Sequence, residues 1–436
     1  MKSIDKYFSL SPYPEAYKAA VCISFDYETS AQSKEPGLIN SIITEIYETI
    51  NKFQLKKINT GTRYGRGFGN RIGADKVSKL FKDHQIHGTW FSTGHVLLKN
   101  NYNGKAFMIN QKMPYMNKDA GFHEVLWWHS KKPCFHHDPH SDYIKYPFFY
   151  LGDQAESLRN NGEDIQYHTF SHPYIPLETS ENLIKDLEDW QTVANKNGFI
   201  APSILAFPFL GDYYIHYPEL KINAVPTKLI DGFTYQSIGL QEEQIKLFYE
   251  RGIEVFTRCG SKSGESFLKG FSRYNNSDIY YLSNYGIINL IYSEGAIAEK
   301  INEIIEKEAA VDFWIHPNDI YQDDVFYFFS LFIKQLIVKY NNEIIWLTSL
   351  RDMWTHFKSI QKVRIHFEKM NDSDIILVVH NTSHNIIKKP AIDFKNINFE
   401  IEDSNTQIQN NKIILKIPIE PGGTYKIKIK NICYKN

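Results

Sequence analysis

Ala19-Ala20-Val21-Cys22-Ile23-Ser24-Phe25-Asp26-Tyr27-Glu28 is the stretch on which the fold turns. A strand with one wet face alternates apolar and polar residues, whereas residues 19–25 are apolar almost throughout. That is the mark of a strand buried on both faces, the kind parallel sheets use. The run ends on two acids, Asp26 and Glu28. Residues two apart on an extended chain point the same way, so both carboxylates can enter one site.

Outward from this stretch, strand-like and helical runs alternate. Helical periodicity covers residues 39–53, a Gly/Arg-rich loop is expected over 61–73, and a helix over 74–84. Then come a strand at 88–92, a helix at 153–160, a strand at 164–167, a long helix at 180–197 opened by Thr179 or Ser180, and a strand at 204–207. The order recurs with a helix at 296–308, a strand at 311–315, a helix at 325–340, a strand at 344–347 and a last helix at 350–357. Such alternation calls for an α/β fold, a parallel sheet covered by helices and either open or closed into a barrel. From about residue 360 the pattern shifts to short strands at 375–379, 412–418 and 425–430, which predicts a small all-β sandwich over 361–436. Twelve basic and eight acidic residues leave that tail mildly positive, as a solvated strand face would be.

Composition narrows the function. The 436 residues hold 49 Lys+Arg against 50 Asp+Glu, a net charge of −1, so a protein that works by neutralising phosphates is a poor fit and nucleic acid is not an expected partner. The longest apolar run, 325–333, falls well short of the roughly 20 residues that span a bilayer. Residues 1–14 lack the apolar core of a secretory signal, from which a cytoplasmic location is expected. Cys22, Cys134, Cys259 and Cys433 stand singly, as reduced structural thiols do. Aromatic residues are 15% of the chain; they suit sugar stacking, and most are expected to serve packing.

The chemistry gathers at strand ends, where parallel α/β folds place their sites. After the strand at 164–167 stands His168-Thr169-Phe170-Ser171-His172, two imidazoles four apart, a spacing that lets one turn offer both to a metal. After 204–207 comes a Pro-aromatic corner, Pro208-Phe209. The strand at 311–315 runs into His316-Pro317. With Asp26 and Glu28, these four strand ends fit one metal-assisted hydrolytic site.

In this order and context the sequence resembles the polysaccharide deacetylases, carbohydrate esterase family 4. The resemblance spans roughly residues 15–358 and is carried by 19–28, by Gly88-Thr89-Trp90-Phe91-Ser92-Thr93-Gly94-His95, by Glu156-Ser157-Leu158-Arg159-Asn160-Asn161-Gly162, and above all by His168–His172, which matches H-[ST]-x-x-H. It implies a distorted (β/α) barrel over 1–358 with an inserted region at about 98–150. It implies roles as well: Asp26 as general base, Glu28, His168 and His172 as metal ligands, and His316 as general acid. Three features depart from the family pattern. Tyr27 separates the two acids, as in relatives that include amidases acting on non-sugar substrates. Ala206 stands where an arginine normally orients the base, so Arg63, Arg66 or Arg258 is expected to substitute. Asp231-Gly232-Phe233 only faintly echoes the fourth motif.

An acetamide is a poor electrophile and water a poor nucleophile, and a divalent ion addresses both problems. Two imidazoles and a carboxylate suit Zn²⁺ best. The Phe209 backbone N–H is a candidate oxyanion donor, and Trp127 and Trp128 in the insertion are candidate sugar platforms. The expected activity is removal of an N-acetyl group from an amino sugar in a glycan, glycolipid or precursor. The alternatives are an amidohydrolase acting on a small non-sugar amide, or an inactive carbohydrate-binding or assembly protein.

Overall fold

The computed structural model describes residues 4–28, 63–103, 122–124, 140–220, 222–224, 231–262, 267–290, 293–371 and 373–434. Its centre is a ring of parallel strands. Strand β1 (Ala19–Tyr27) pairs with β2 (Thr89–Ser92), β2 with β3 (Asp164–Tyr167), β3 with β4 (Ile204–Ala206), and β4 with β5 (Val255–Thr257). Two short strands close the ring: β6 (Tyr280–Tyr281) pairs with β5, and β7 (Asn284–Gly286) pairs with β8 (Ala310–Ile315), which returns to β1. Backbone bonds from Leu282 to Phe256 and from Asp312 to Ser283 make the passage from β6 to β7 continuous. A last strand, β9 (Ile345–Leu347), pairs only with Ala19–Val21 at the foot of β1. The helix-covered parallel sheet expected from the alternation is therefore present, closed into the distorted barrel that the resemblance implied.

All nine residues of β1 are buried, and they divide by parity. Val21, Ile23, Phe25 and Tyr27 face the helices, in one core with Phe81 and Phe329, while Ala20 and Cys22 join Phe91, Ile204, Ala206, Val255 and Ala310 in a second core. Small residues on alternate positions are what a narrow barrel interior accepts. The same parity takes Ser24 and Asp26 inward from β1 and Asp312 inward from β8. The interior is thus apolar at its foot and polar at the C-terminal rim.

Helix α1 (Arg63–His84) corrects one expectation, because the Gly/Arg-rich residues 63–73 are helical and not a loop. The glycines serve close approach. A Cβ on Gly67 would lie 2.2 Å from the Phe148 carbonyl oxygen, and one on Gly73 only 1.9 Å from that of Pro317. Tertiary packing here overrides the low helix propensity of glycine. The other barrel helices are α2 (Gly152–Asn160), α3 (Ser180–Lys196), α4 (Glu242–Glu250), α5 (Glu294–Glu306), α6 (Asp323–Asn341) and α7 (Leu350–Ile360). Thr179 caps α3, its side chain accepting from Asn182 N. No helix among the described residues is long and apolar enough to cross a membrane. The helix expected over 39–53 lies outside the described residues.

Beyond α7 two antiparallel four-stranded sheets enclose a core of Ile375, Leu377, Val379, Ile392, Ile413, Leu415, Ile427 and Ile429. The sequence boundary needs one amendment. Phe8–Leu10, expected with the barrel, pairs with Ala391–Phe394 and buries Phe8 in this second core. A three-residue strand finds a partner at a sheet edge, which its local sequence does not announce. A further small sheet, from Phe122–Glu124, Tyr213–Tyr217, Ile222–Ala224 and Gln236–Gly239, was also not foreseen.

Candidate metal centre

The site is built at the C-terminal ends of β1, β3, β4, β5 and β8. Asp26 and Glu28 emerge from β1, both buried. Tyr27 between them packs edge-on against Trp90 and donates its hydroxyl to Gln154 Oε1. The intervening residue is thus a spacer anchored among the helices, and its neighbours are left to the interior.

Beyond β3, the turn carrying His168 and His172 is held by a buried carboxylate. Asp186 of α3 accepts from the backbone N–H groups of Phe170 and Ser171 and from the hydroxyls of Ser171 and Tyr167. Thr169 and His172 both take left-handed backbone angles, φ 63° and 57°. Such strain persists only where surroundings over-determine it, and sites are where it collects. The outcome is convergence on one atom: Glu28 Oε1 lies 3.0 Å from His172 Nε2, 3.5 Å from His168 Nε2 and 3.9 Å from His316 Nε2.

This donor set fits a divalent ion. One ligating atom from each of Glu28, His168 and His172 falls within 4.8 Å of the others. His168 Nδ1 is 2.9 Å from the Ala206 carbonyl oxygen. A carbonyl only accepts, so Nδ1 carries the hydrogen, and in the neutral ring Nε2 aims its lone pair at an acidic oxygen. Lone pairs converging in a buried space call for a cation between them. The buried carboxylates of Asp26 and Asp312 meet the buried guanidinium of Arg258.

Of the three candidate arginines, Arg258, at the end of β5, has a described side chain, and it meets Asp26. It is fully buried; Nη2 lies 3.1 Å from Asp26 Oδ1 and donates at 2.7 Å to Ser24 Oγ, and Nη1 donates to Asp312 Oδ2. Asp312 also accepts from Ser24 Oγ at 2.5 Å and Thr257 Oγ1 at 2.9 Å. The guanidinium lies between the Phe91 and Trp314 rings, 5.2 and 4.9 Å from their centroids, a stacking that a planar fork allows and an ammonium does not. Burial raises the Asp26 pKa, but the Arg258 guanidinium, foremost among the nearby charges, outweighs it and holds the carboxyl below its ordinary value.

His316 follows β8 and is partly exposed. Its Nδ1 is 3.0 Å from Asp319 Oδ2, which also accepts from the His316 backbone N–H. Burial lowers the imidazole pKa, yet the bond to Asp319 and the nearby charges of Asp319, Glu28 and Asp26 more than offset it, and the ring is held protonated above the ordinary range.

Of the other residues singled out in the sequence, Phe209 has its ring 4.5 Å from that of His172 and stacked beside Tyr174. Asp231, Gly232 and Phe233 are exposed. Trp127, Trp128 and the side chains of Arg63 and Arg66 lie outside the described residues. Sequence reading missed Asp312, Asp186 and Asp319. Asp312 did carry a signal, being a lone acid inside an apolar strand that has to be buried on both faces.

Residues 69–216 match the polysaccharide deacetylase family, which bears out the resemblance read from the motifs. The matched segment includes both histidines of the turn but neither Asp26 and Glu28 before it nor Arg258 and His316 after it. Among curated proteins none matches the chain. Solved structures with some likeness in fold include a Mycobacterium smegmatis protein assigned as a polysaccharide deacetylase (11% identity, TM-score 0.46, 84% of this chain and 100% of that one). Others are the Puue allantoinase (10%, 0.43, 80% and 93%) and a carbohydrate esterase family 4 pseudoenzyme from Bacillus anthracis (10%, 0.35, 79% and 69%).

Proposed function

We propose that the chain is a metal-dependent hydrolase that removes the N-acetyl group from an amino sugar in a glycan, a glycolipid or a precursor. The observation that carries this reading is the approach of three imidazole Nε2 atoms to Glu28 Oε1. Glu28, His168 and His172 would hold the ion, and Zn²⁺ suits that mixed set. When bound, it supplies a Lewis acid for the acetamide carbonyl and lowers the pKa of a water.

The chain's own residues carry the protons. Asp26, kept ionised by Arg258, accepts from the attacking water. His316, kept protonated by Asp319, donates from Nε2 to the departing amine. Each such role is worth about 10²–10⁴-fold in rate. The Phe209 N–H is assigned to the developing oxyanion, and the exposed Phe209 ring to the apolar face of the sugar. Residues 361–436, completed by Phe8–Leu10, are proposed as an accessory domain.

Zinc titration by calorimetry, with acetate release from a panel of N-acetylated glycans, tests the reading. The wild type should bind zinc stoichiometrically, and His168→Ala and His172→Ala should not. Full occupancy in both variants would remove the metal assignment. Zinc binding without acetate release from any glycan would shift the reading to a non-sugar amide or to an inactive binding protein.

A further inference from the structure

Asn70 lies in α1 among the glycines that bring this helix flush against the rim. A Cβ on Gly69 would stand 3.1 Å from the Asn318 Cβ, and one on Gly73 would meet the Pro317 carbonyl. Asn70 is fully buried between the end of β1 and the turn after β8. Its Nδ2 donates to the Glu28 carbonyl oxygen at 2.5 Å, and its Oδ1 accepts from the Asn318 backbone N–H at 3.0 Å. A carbonyl only accepts and a backbone amide only donates, so one orientation of the carboxamide satisfies both. Ionised aspartate in the same shape would set acceptor against acceptor at Glu28. Alanine would leave both backbone groups buried without this partner.

The two groups that Asn70 joins belong to different halves of the proposed chemistry. Glu28 is the carboxylate of the metal set. Asn318 belongs to a compact turn in which the Asp319 N–H donates to the His316 carbonyl and the Ile320 N–H to that of Pro317. Moving that turn moves His316. We propose that Asn70 is a positioning residue that sets the spacing between the metal ligand Glu28 and the proton donor His316, by pinning the backbone of one to the turn of the other. This rests on the metal and proton-donor roles given above. It assigns Asn70 more than anchorage of α1, because the two arms of one amide serve two separable steps.

The test uses Asn70→Asp and Asn70→Ala in the full chain. Zinc affinity is read by calorimetry on metal-free protein, and dependence on the proton donor as the ratio of acetamide cleavage to cleavage of an activated aryl acetate. Asn70→Asp keeps an acceptor for Asn318 and loses the donor to Glu28. It should weaken zinc about 10–100-fold, the usual cost of losing an outer partner of a ligand, and leave the ratio near that of the wild type. Asn70→Ala loses both arms and should lower the ratio as well. Should Asn70→Ala not fold, the isosteric Asn70→Asp carries the test through its zinc affinity. Unchanged zinc affinity in a folded Asn70→Asp, or a ratio in Asn70→Ala equal to the wild type's, would overturn the proposal and leave Asn70 a packing residue. A wild-type chain that takes up no zinc would sink the metal reading itself, so the wild-type titration alone tells the two failures apart.

Discussion

The barrel rim and the β-sandwich both contain residues in the left-handed region, and they place different side chains there. In the sandwich these include Asn396, Asn410, Asn411 and Asn431, at φ between 51° and 60°. Asparagine visits that region at little cost, through local hydrogen bonding of its short side chain. At the rim they are Thr169, His172, Phe209, Leu210 and Arg258, at φ 56° to 63°, where a bulky or branched residue is a true outlier. Strain on the order of 1–3 kcal/mol per residue is borne where the direction of a side chain matters more than the ease of its backbone. Buried charge differs in arrangement: the sandwich buries Lys412 in a pair with Asp393, whereas the barrel interior clusters Asp26, Arg258 and Asp312. One region is built for stability, and the other spends stability on geometry.

The largest break in this contrast should come from Arg258→Ala. It leaves Asp26 and Asp312 facing each other across a buried gap, and removing one partner of a buried ion pair costs about 3–5 kcal/mol. Denaturant unfolding should show that loss, and acetate release should fall with it. Arg258→Lys keeps the charge but loses the fork between Asp26 and Asp312 and the stacking on Phe91 and Trp314, so it should recover stability only in part. An Arg258→Ala chain as stable as the wild type would mean that the rim charges are not held at a cost.

A mutation of similar size in the sandwich should leave the chemistry alone. Ile427 is fully buried in the second core, and Ile427→Ala should cost about 2–5 kcal/mol. Zinc affinity should not change, because the sandwich shares no residue with the metal set. The connection that could defeat this is Phe8–Leu10, which pairs into the sandwich shortly before β1 begins. A fall in zinc affinity alongside stability would show that this strand transmits the damage to Asp26 and Glu28.

What could be read from the sequence was local. Residues 19–28 announce a doubly buried strand ending in two acids, and His168 and His172 declare themselves through spacing within one turn. That Arg258 meets Asp26 could not be read from the sequence, because the two are 232 residues apart and only the pairing of strands around the barrel brings them together. Val255–Thr257 is too short to stand out as a strand. The glycines of 63–73 read as loop because glycine signals flexibility locally; its use here, letting backbones touch, depends on what lies opposite. Asp186 and Asn70 act through backbone groups remote in sequence, and no local pattern marks such a partner.

The smallest effect sharpens the comparison most. Phe209 has φ 61° and Asn411 φ 60°, so glycine can be placed at two positions of nearly equal φ. At Phe209, glycine relieves strain of about 1–2 kcal/mol. Against this stand its unfolded-state entropy, about 0.5–1 kcal/mol, and the lost ring contacts with His172 and Tyr174, about 0.5–1.5 kcal/mol. These nearly cancel, and Phe209→Gly should unfold within about 1 kcal/mol of the wild type. Phe209→Ala keeps the strain and loses the ring, so it should be the less stable of the two. At Asn411 there is little strain to relieve, and glycine should be neutral or slightly destabilising. Acetate release should fall in both Phe209 variants and remain unchanged in Asn411→Gly. If Phe209→Gly proves less stable than Phe209→Ala, the left-handed turn at Phe209 stores no strain, and the contrast between rim and sandwich rests on charge alone.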